Sequence, residues 1–291
     1  MLLLATSVLA DDLKDDVLFL ADKKLDGRAP GTDADRTART FIIDRLKALK
    51  LAPAFGDSYE QAFEVNDVTT ANVAAVIPGS DPDVGSEIIL VSCHHDHLGD
   101  GHFGANDNAS GVAAMLWIAK SLATSSPRRT IVFAAFGSEE TGMNGSYFYA
   151  AHAPHDLPTD KIVQVINLDM VGTHKEAGFV AAMGTFPKLA ATPVLAKLKK
   201  TYKKLNVGLG GKARGSDFEP FCTQGTPYVF FWTPDKRCYH ERCDTADKVD
   251  YAGMAEIAAL AGDLTSAMAD STTDLAAAKA KYGCFGKATR Q

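Results

Sequence analysis

Several histidines and carboxylates follow short apolar runs of this chain, where they could bind a metal ion. His94 and Asp96 form an H-x-D pair. In such a pair the aspartate can accept a hydrogen bond from one ring nitrogen and leave the other for a metal. His95, His97 and His102 lie nearby, and an isolated histidine is more commonly structural than a ligand. The context therefore favours His94 as the candidate ligand.

A second candidate lies in the segment GANDNASG, residues 104–111. This tight polar turn places Asp107 directly before a predicted helix, where its carboxylate would be held rigidly. The alternative is simple helix capping by Asp107, Asn108 or Ser110, which is the commoner use of such residues.

Two adjacent glutamates, Glu139 and Glu140, follow another apolar run. Their charges repel unless a cation or a proton separates them. One could bind a metal while the other acts as a general base on water, or the segment could be an exposed acidic loop. Asp169 and His240 also follow apolar runs, and together these groups match the nitrogen and oxygen ligands expected for zinc in a hydrolase. Two close zinc ions bridged by one carboxylate could share them.

The apolar runs that precede these residues are typical of buried strands. Helical patterns alternate with them, which predicts an α/β fold with three layers, in which helices cover both faces of a central, mixed but largely parallel sheet. Ligands of such sheets lie beyond the carboxyl ends of the strands. The predicted strands are 72–77, 88–93, 130–136, 162–168, 179–183 and 227–232, and the predicted helices are 110–123, 144–151, 188–204 and 251–268, after two helices within 12–51 of which the second is capped by Thr32 or Asp33.

Composition and charge exclude several classes of protein. The 291 residues are 46% hydrophobic and 23% charged, which is typical of a folded globular protein. Thirty Lys and Arg against 36 Asp and Glu give a net charge of -6, so nucleic acid is not an expected partner. No apolar run is long enough to cross a bilayer, and stable membrane insertion is not expected.

The opening segment MLLLATSVLA predicts the end of a secretory signal peptide, and hence a secreted or periplasmic protein. It lacks a basic leading region, so it is either trimmed or an ordinary apolar N-terminus that packs on the domain. Five cysteines modestly support export, and the odd count leaves at least one unpaired. Cys238 and Cys243 are close enough to close a small loop, or they are independent buried residues.

The ordered motifs resemble those of the co-catalytic di-zinc aminopeptidases, the zinc exopeptidases that include bacterial leucyl aminopeptidase and aminopeptidase S. The resemblance extends from about Leu18 to the last helix and implies the phosphorylase/hydrolase-like fold of these enzymes. The motifs are GRAPGT (27–32), CHHDHLG (93–99), GANDNASG (104–111), SEETGMNGS (138–146), NLDMVG (167–172), GSDFEPF (215–221) and YHERCDTADK (239–248).

This resemblance implies two zinc ions and a ligand for each position around them. Asp107 would bridge both ions, with Glu140 and His240 completing one site and His94 and Asp169 the other. The substrates would be peptides with a free N-terminus, from which the enzyme removes the first residue.

The resemblance also implies roles in catalysis. Glu139 would be the general base that takes a proton from water and passes it to the leaving amine. Asp96 would orient His94, and Tyr239 would donate a hydrogen bond to the oxyanion. Met170 would line a side-chain pocket or belong to the core. Phe218 stands where many relatives have histidine, so a polar contact at the pocket edge is expected to be missing.

The implied organisation is a signal-peptide remnant at residues 1–10 and a single zinc peptidase catalytic domain at residues 11–291. The segment from Gln61 to Asn72 is too short for a protease-associated insert, and a monomer is expected. Three alternatives compete: a one-zinc glutaminyl cyclase of the same fold, a non-catalytic binding domain of that fold, and a different hydrolase in which CYHERC is a structural zinc knot.

Overall fold

Four parallel strands form the centre of a mixed sheet in the computed structural model, which describes residues 12–286. Strands β4, β5, β6 and β9 are parallel to one another, whereas β3 runs antiparallel to β5 and β7 runs antiparallel to β9. The order across the sheet is β1-β3-β5-β4-β6-β9-β7-β8, and β2 also pairs with β3. The strands are β1 Ala52–Pro53, β2 Glu60–Val65, β3 Val68–Ile77, β4 Ile88–His94, β5 Thr130–Phe136, β6 Ile162–Leu168, β7 Val180–Met183, β8 Val207–Leu209 and β9 Tyr228–Trp232.

Helices cover both faces of this sheet, as the sequence predicts. Helices α1, α2, α3, α6 and α8 contribute to the core on one face, and α4 and α7 to the core on the other. The helices are α1 (12–20), α2 Asp33–Ala48, α3 Ser110–Leu122, α4 Asn144–Ala151, α5 His174–Ala177, α6 Ala191–Leu198, α7 Glu219–Thr223, α8 Tyr251–Ala269 and α9 Leu275–Tyr282.

The central strands read as continuous apolar runs because each of their faces packs against one of these helical layers. In β4, Ile89 and Val91 belong to one core and Ile88 and Leu90 to the other. The three-layer α/β/α architecture is therefore confirmed. Thr32 caps α2 by accepting a hydrogen bond from the backbone N–H of Asp35.

Two predicted elements differ from the structure. The segment before residue 72, for which the sequence predicts no strand, forms the hairpin β2–β3. Its two-residue turn, Asn66 and Asp67, has positive φ angles, which these residue types tolerate. The helix predicted over 188–204 is shorter in the structure, Ala191–Leu198. A longer helix would place Lys199 and Lys203, and likewise Lys200 and Lys204, four residues apart, where like charges are destabilising.

Four cysteines form disulfides, Cys222 with Cys284 and Cys238 with Cys243, and Cys93 is free and buried. The zinc-knot alternative is therefore wrong, because its two sulfurs are bonded to each other. None of the helices within residues 12–286 is both long and apolar enough to cross a lipid bilayer. The segment 1–10, predicted as a signal-peptide remnant, lies outside the described residues.

Candidate metal centre

The carboxyl ends of the four parallel strands meet at one edge of the sheet and carry the predicted site residues. His94 is the last residue of β4, Asp169 follows β6, and Glu139 and Glu140 follow β5. His240 lies in the loop after β9. Parallel strands present their carboxyl ends at the same edge, so residues far apart in sequence come together there.

Asp107 lies between two histidines from distant parts of the chain, one at the end of β4 and one in the loop after β9. Its Oδ1 is 3.2 Å from Nε2 of His94, and its Oδ2 is 3.2 Å from Nε2 of His240. A second carboxylate accompanies each histidine. Oδ1 of Asp169 is 3.3 Å from Nε2 of His94, and Oε2 of Glu140 is 3.0 Å from Nε2 of His240. The five predicted ligands thus form two groups that share one carboxylate.

The backbone of Asp107 is fixed by a buried residue that the sequence analysis missed. The carboxylate of Asp244 accepts hydrogen bonds from the backbone N–H groups of Asn106, at 2.7 Å, and Asp107, at 2.9 Å. The capping role falls to Asn108, whose Oδ1 accepts from the N–H of Gly111 at 2.8 Å. The Asp107 carboxylate is left facing the two histidines.

Asp96 lies behind His94 and also holds the glutamate loop. Nδ1 of His94 is 3.2 Å from the backbone carbonyl oxygen of Asp96 and 3.8 Å from its carboxylate. That carboxylate accepts hydrogen bonds from the backbone N–H groups of Glu139, at 3.0 Å, and Glu140, at 3.2 Å. Asp96 therefore couples the position of one histidine to that of both glutamates.

His97 is a second residue that the sequence analysis did not select. It is fully buried, and its Nδ1 is 2.6 Å from Oε1 of Glu140. His95 and His102 are structural, because each contacts a backbone carbonyl oxygen, of Ala71 and Gly99 respectively. All are histidines of one short segment, so sequence alone could not separate their roles.

A chain of hydrogen bonds leads from the interior of the sheet to Asp169. The hydroxyl of Ser92 donates to Oδ1 of Asn167, and Nδ2 of Asn167 donates to the hydroxyl of Ser216. Ser216 donates in turn to Oδ2 of Asp169 at 2.7 Å. This leaves Oδ1 of Asp169 directed at His94.

Phe218 differs from its expected place. Its ring is 1% exposed and stacks on Tyr228, with 4.0 Å between the ring centroids. It belongs to the core beneath the site and not to the pocket edge, so its effect on the site is through packing.

The buried carboxylates of the site favour a cation beside them. Burial opposes ionisation of Asp107, but hydrogen bonds from His240 and His94 hold its pKa well below the usual range. Hydrogen bonds to Asp107 and Glu140 raise the pKa of His240 to about 10. Burial disfavours the charged form of His94, but the charge of Asp169 leads the effects that raise its pKa well above normal. The carboxylates therefore favour protonated imidazoles in the place where a cation could bind instead. Imidazole nitrogens and carboxylate oxygens are zinc ligands, so this set of donors fits zinc.

Glu139 is the predicted base, and its side chain makes no hydrogen bond with the residues described. Burial, followed by the negative charges of Asp217 and Asp169, raises its pKa to about 10, and the charge of His94 opposes this rise. Asp217 is completely buried and neither of its carboxylate oxygens has a partner within residues 12–286. This acidic group lies in the GSDFEPF motif, and the sequence analysis assigned it no role.

The loop that carries His240 is closed by the disulfide between Cys238 and Cys243. Asp235 caps the start of this loop by accepting hydrogen bonds from the backbone N–H groups of Arg237, at 3.0 Å, and Cys238, at 2.9 Å. Tyr239 is 52% exposed and its ring stacks on that of His240, with 3.9 Å between centroids. The predicted ligand and the predicted oxyanion donor are therefore placed by one short constrained loop.

A cavity of about 380 Å³ opens beside these groups. His94, Asp107 and the two glutamates line one part of it. Met170, predicted to line a pocket or to belong to the core, is buried and forms part of the apolar wall of this cavity. The other apolar side chains there are Met183, Ala213, Phe230 and Trp232.

Comparison with known proteins identifies the family to which the chain belongs. Peptidase family M28 matches residues 72–265, more than half of the chain. Leupeptin-inactivating enzyme 1 of Streptomyces exfoliatus is 28% identical over 230 residues, which are 72% of this chain and 50% of that protein. The chain therefore spans about half the length of this relative.

Two solved structures share the fold. A zinc aminopeptidase from Bacillus subtilis superposes with a TM-score of 0.76 at 15% identity, over 92% of this chain and 97% of that one. The glutaminyl cyclase of Porphyromonas gingivalis gives 0.71 at 19% identity, over 88% and 96%. The family match covers strands β4, β5, β6 and β9 and every residue of the two ligand groups, and on this basis the chain belongs to peptidase family M28.

Proposed function

We propose that this protein is a zinc aminopeptidase that uses two zinc ions to remove the first residue of a peptide. The carrying observation is the position of Asp107, which directs one carboxylate oxygen toward each histidine at 3.2 Å. A carboxylate in that position is suited to bridge two ions. The relatives named as aminopeptidases support the same activity.

The chain's own residues divide into two ligand groups. His94 and Asp169 would hold one zinc ion, Glu140 and His240 the other, and Asp107 both. When bound, the ions polarise the scissile carbonyl and make water more acidic. Two of the surrounding hydrogen bonds keep these ligands in place: Ser216 donates to Asp169, and Asp244 accepts from the backbone N–H of Asp107.

Glu139 would move the proton during hydrolysis. Its carboxylate lines the cavity with no hydrogen-bond partner among the residues described, and its backbone is held by Asp96. In the ionised form, which neighbouring cations favour over the protonated one, it would accept a proton from the attacking water and deliver it to the departing amine. Tyr239, exposed at the cavity wall beside His240, would donate its phenol hydrogen to the developing oxyanion.

The cavity favours substrates with an apolar first residue. Its wall of Met170, Met183, Phe230 and Trp232 suits a leucine-like side chain, because burying apolar area is favourable. The carboxylates across the cavity would attract the free α-ammonium group of a peptide. A blocked N-terminus would lose that attraction.

The two disulfides support a location of the protein outside the reducing cytosol, because such bonds persist in oxidising compartments. We extend the proposal to an exported protein whose catalytic domain is formed by residues 11–291. A monomeric state remains an expectation.

The decisive experiment follows the products from three peptides. A leucine-initiated peptide with a free N-terminus, its acetylated form and a glutamine-initiated peptide are incubated with zinc-loaded and chelator-stripped protein. We expect zinc-dependent release of leucine from the free peptide alone. Cleavage of the acetylated peptide would contradict the aminopeptidase, and ring closure of the glutamine peptide would establish the cyclase instead.

A matched variant separates chemistry from metal binding. Glu139→Gln keeps the shape of the side chain but cannot accept a proton, so turnover is expected to fall by about 10²- to 10⁴-fold. Its zinc content, measured by metal analysis, should equal that of the unaltered protein. Undiminished turnover would exclude Glu139 as the base.

A further inference from the structure

Arg28 is a completely buried arginine that has no acidic partner within ion-pairing distance among residues 12–286. Burial lowers its pKa to about 10, and the negative charges of Asp96 and Asp244 oppose this. It therefore remains charged at neutral pH. An unpaired buried charge is costly unless hydrogen bonds compensate it, so its contacts identify what it stabilises.

All four hydrogen bonds of the guanidinium go to backbone carbonyl oxygens. Nε donates to His95 at 2.8 Å, one terminal nitrogen donates to Leu20 at 2.5 Å and Phe103 at 2.7 Å, and the other donates to Gly104 at 3.0 Å. Three of these carbonyls belong to the loop between β4 and α3, residues 95–109. A planar fork of N–H donors is suited to holding several acceptors at fixed angles.

The two residues before Arg28 contact the middle of the same loop. Asp26 accepts a hydrogen bond from the backbone N–H of Gly101 at 2.7 Å. Gly27 has φ +77°, and a Cβ there would lie 2.1 Å from the carbonyl oxygen of His102, so only glycine permits this approach. We refer to Asp26, Gly27 and Arg28 together as the 26–28 clamp.

The 26–28 clamp contacts the β4–α3 loop close to two candidate zinc ligands, His94 and Asp107. His95 directly follows His94, and Gly104 lies three residues before Asp107. Asp244 holds the same loop through the backbone N–H groups of Asn106 and Asp107. The separation of His94 from Asp107 is therefore set by contacts at both ends of the loop.

We propose that the 26–28 clamp is a positioning device for the metal centre, in which Arg28 fixes the loop ends so that His94 and Asp107 converge. This inference rests on the proposed zinc centre, and the experiment below distinguishes failure of one from failure of the other.

The test compares Arg28→Lys with Arg129→Lys. Arg129 is the control, because it is 1% exposed and also donates to backbone carbonyls, those of Ser271 and Thr273. Unlike Arg28 it also forms an ion pair, with Glu87 at 2.6 Å, and it directly precedes β5, at the end of that strand away from the site. Zinc affinity is measured by competition with a chromogenic chelator, and stability by thermal unfolding of the metal-free proteins.

We expect Arg28→Lys to bind zinc about 10- to 100-fold more weakly, the usual effect of losing a group that orients metal ligands. Lysine keeps the charge but cannot replace the fork. Arg129→Lys should keep the zinc affinity of the unaltered protein even where it is equally destabilised. Equal losses of affinity in both variants, or none in Arg28→Lys, would overturn the positioning role.

A surface variant covers the case in which Arg28→Lys does not fold. Asp26 is exposed, so Asp26→Ala removes one clamp contact without altering the core. A loss of zinc affinity of a few fold supports the clamp, and an unchanged affinity overturns it. Absence of zinc binding by the unaltered protein would overturn the proposed function itself, and with it this inference.

Discussion

At the scale of single residues, His97 shows how a ligand is oriented by a neighbour. Its Nδ1 lies 2.6 Å from Oε1 of Glu140, while Oε2 of Glu140 faces His240. We expect His97→Leu to weaken zinc binding by about 10- to 100-fold. His97→Asn, whose amide nitrogen can take the place of Nδ1, should retain most of the affinity. Chelator competition measures both, and equal behaviour of the two variants would argue against this hydrogen bond.

Asp217 gives a prediction about pH. Burial raises the pKa of Asp217 to about 7, and the negative charges of Asp169 and Asp96 add to this rise. The charge of His94 and the Ser146 hydroxyl oppose it, although that hydroxyl also donates a hydrogen bond to the Met143 carbonyl. The folded state therefore holds this proton where the unfolded chain has lost it. Stability is fully present below about pH 4 and is lost as the pH rises through about 7.

Asp217→Asn removes this dependence because the amide does not titrate. In metal-free protein, the free energy of unfolding of the variant relative to the unaltered protein should increase by about 4 kcal/mol between about pH 4 and about pH 8. Urea denaturation at several pH values measures it. The cost of burying the amide is the same at every pH, so a constant difference between the two proteins would refute the prediction.

At the scale of elements, the two disulfides are expected to differ in what they stabilise. Cys222–Cys284 closes 62 residues and Cys238–Cys243 closes 5. By loop-closure entropy, replacing the first pair with serine should cost about 4 kcal/mol of unfolding free energy and the second about 2 kcal/mol. Replacing Cys238 and Cys243 should nevertheless weaken zinc binding more than replacing Cys222 and Cys284, because Cys238 and Cys243 flank His240.

Denaturation and chelator competition on the two double variants check this order. Each variant serves as the control for the other. If zinc affinity instead followed stability, the loop around His240 would have no specific part in holding its ligand.

At the scale of the whole molecule, zinc should stabilise the fold because its ligands come from loops after four different strands. Each metal ion bound only by the folded state, at about 100 times its dissociation constant, should raise the free energy of unfolding by about 2.7 kcal/mol. Thermal unfolding with zinc, with magnesium and with chelator measures this. Magnesium prefers oxygen ligands and should have little effect, and no shift with zinc would contradict the metal centre.

The sequence by itself determined the layered fold and the composition of the site. Apolar runs of strand length report local burial, so β4, β5 and β6 could be predicted to within a residue or so, and parallel strand ends had to share an edge. The hairpin at Asn66 and Asp67 was missed because its outer strand, β2, is only partly buried and gives a weak apolar signal.

Only the tertiary structure decided how the site is held. Arg28 contacts carbonyls up to 76 residues away, and Asp244 contacts Asp107 across 137 residues. No local pattern reports such contacts, because a hydrogen bond between two loops depends on how their strands pack. The same limit applies to His97, since neighbouring histidines of one segment point in different directions once that segment leaves the strand. Residue type and spacing therefore indicate candidate ligands, and the packing of distant loops sets their geometry.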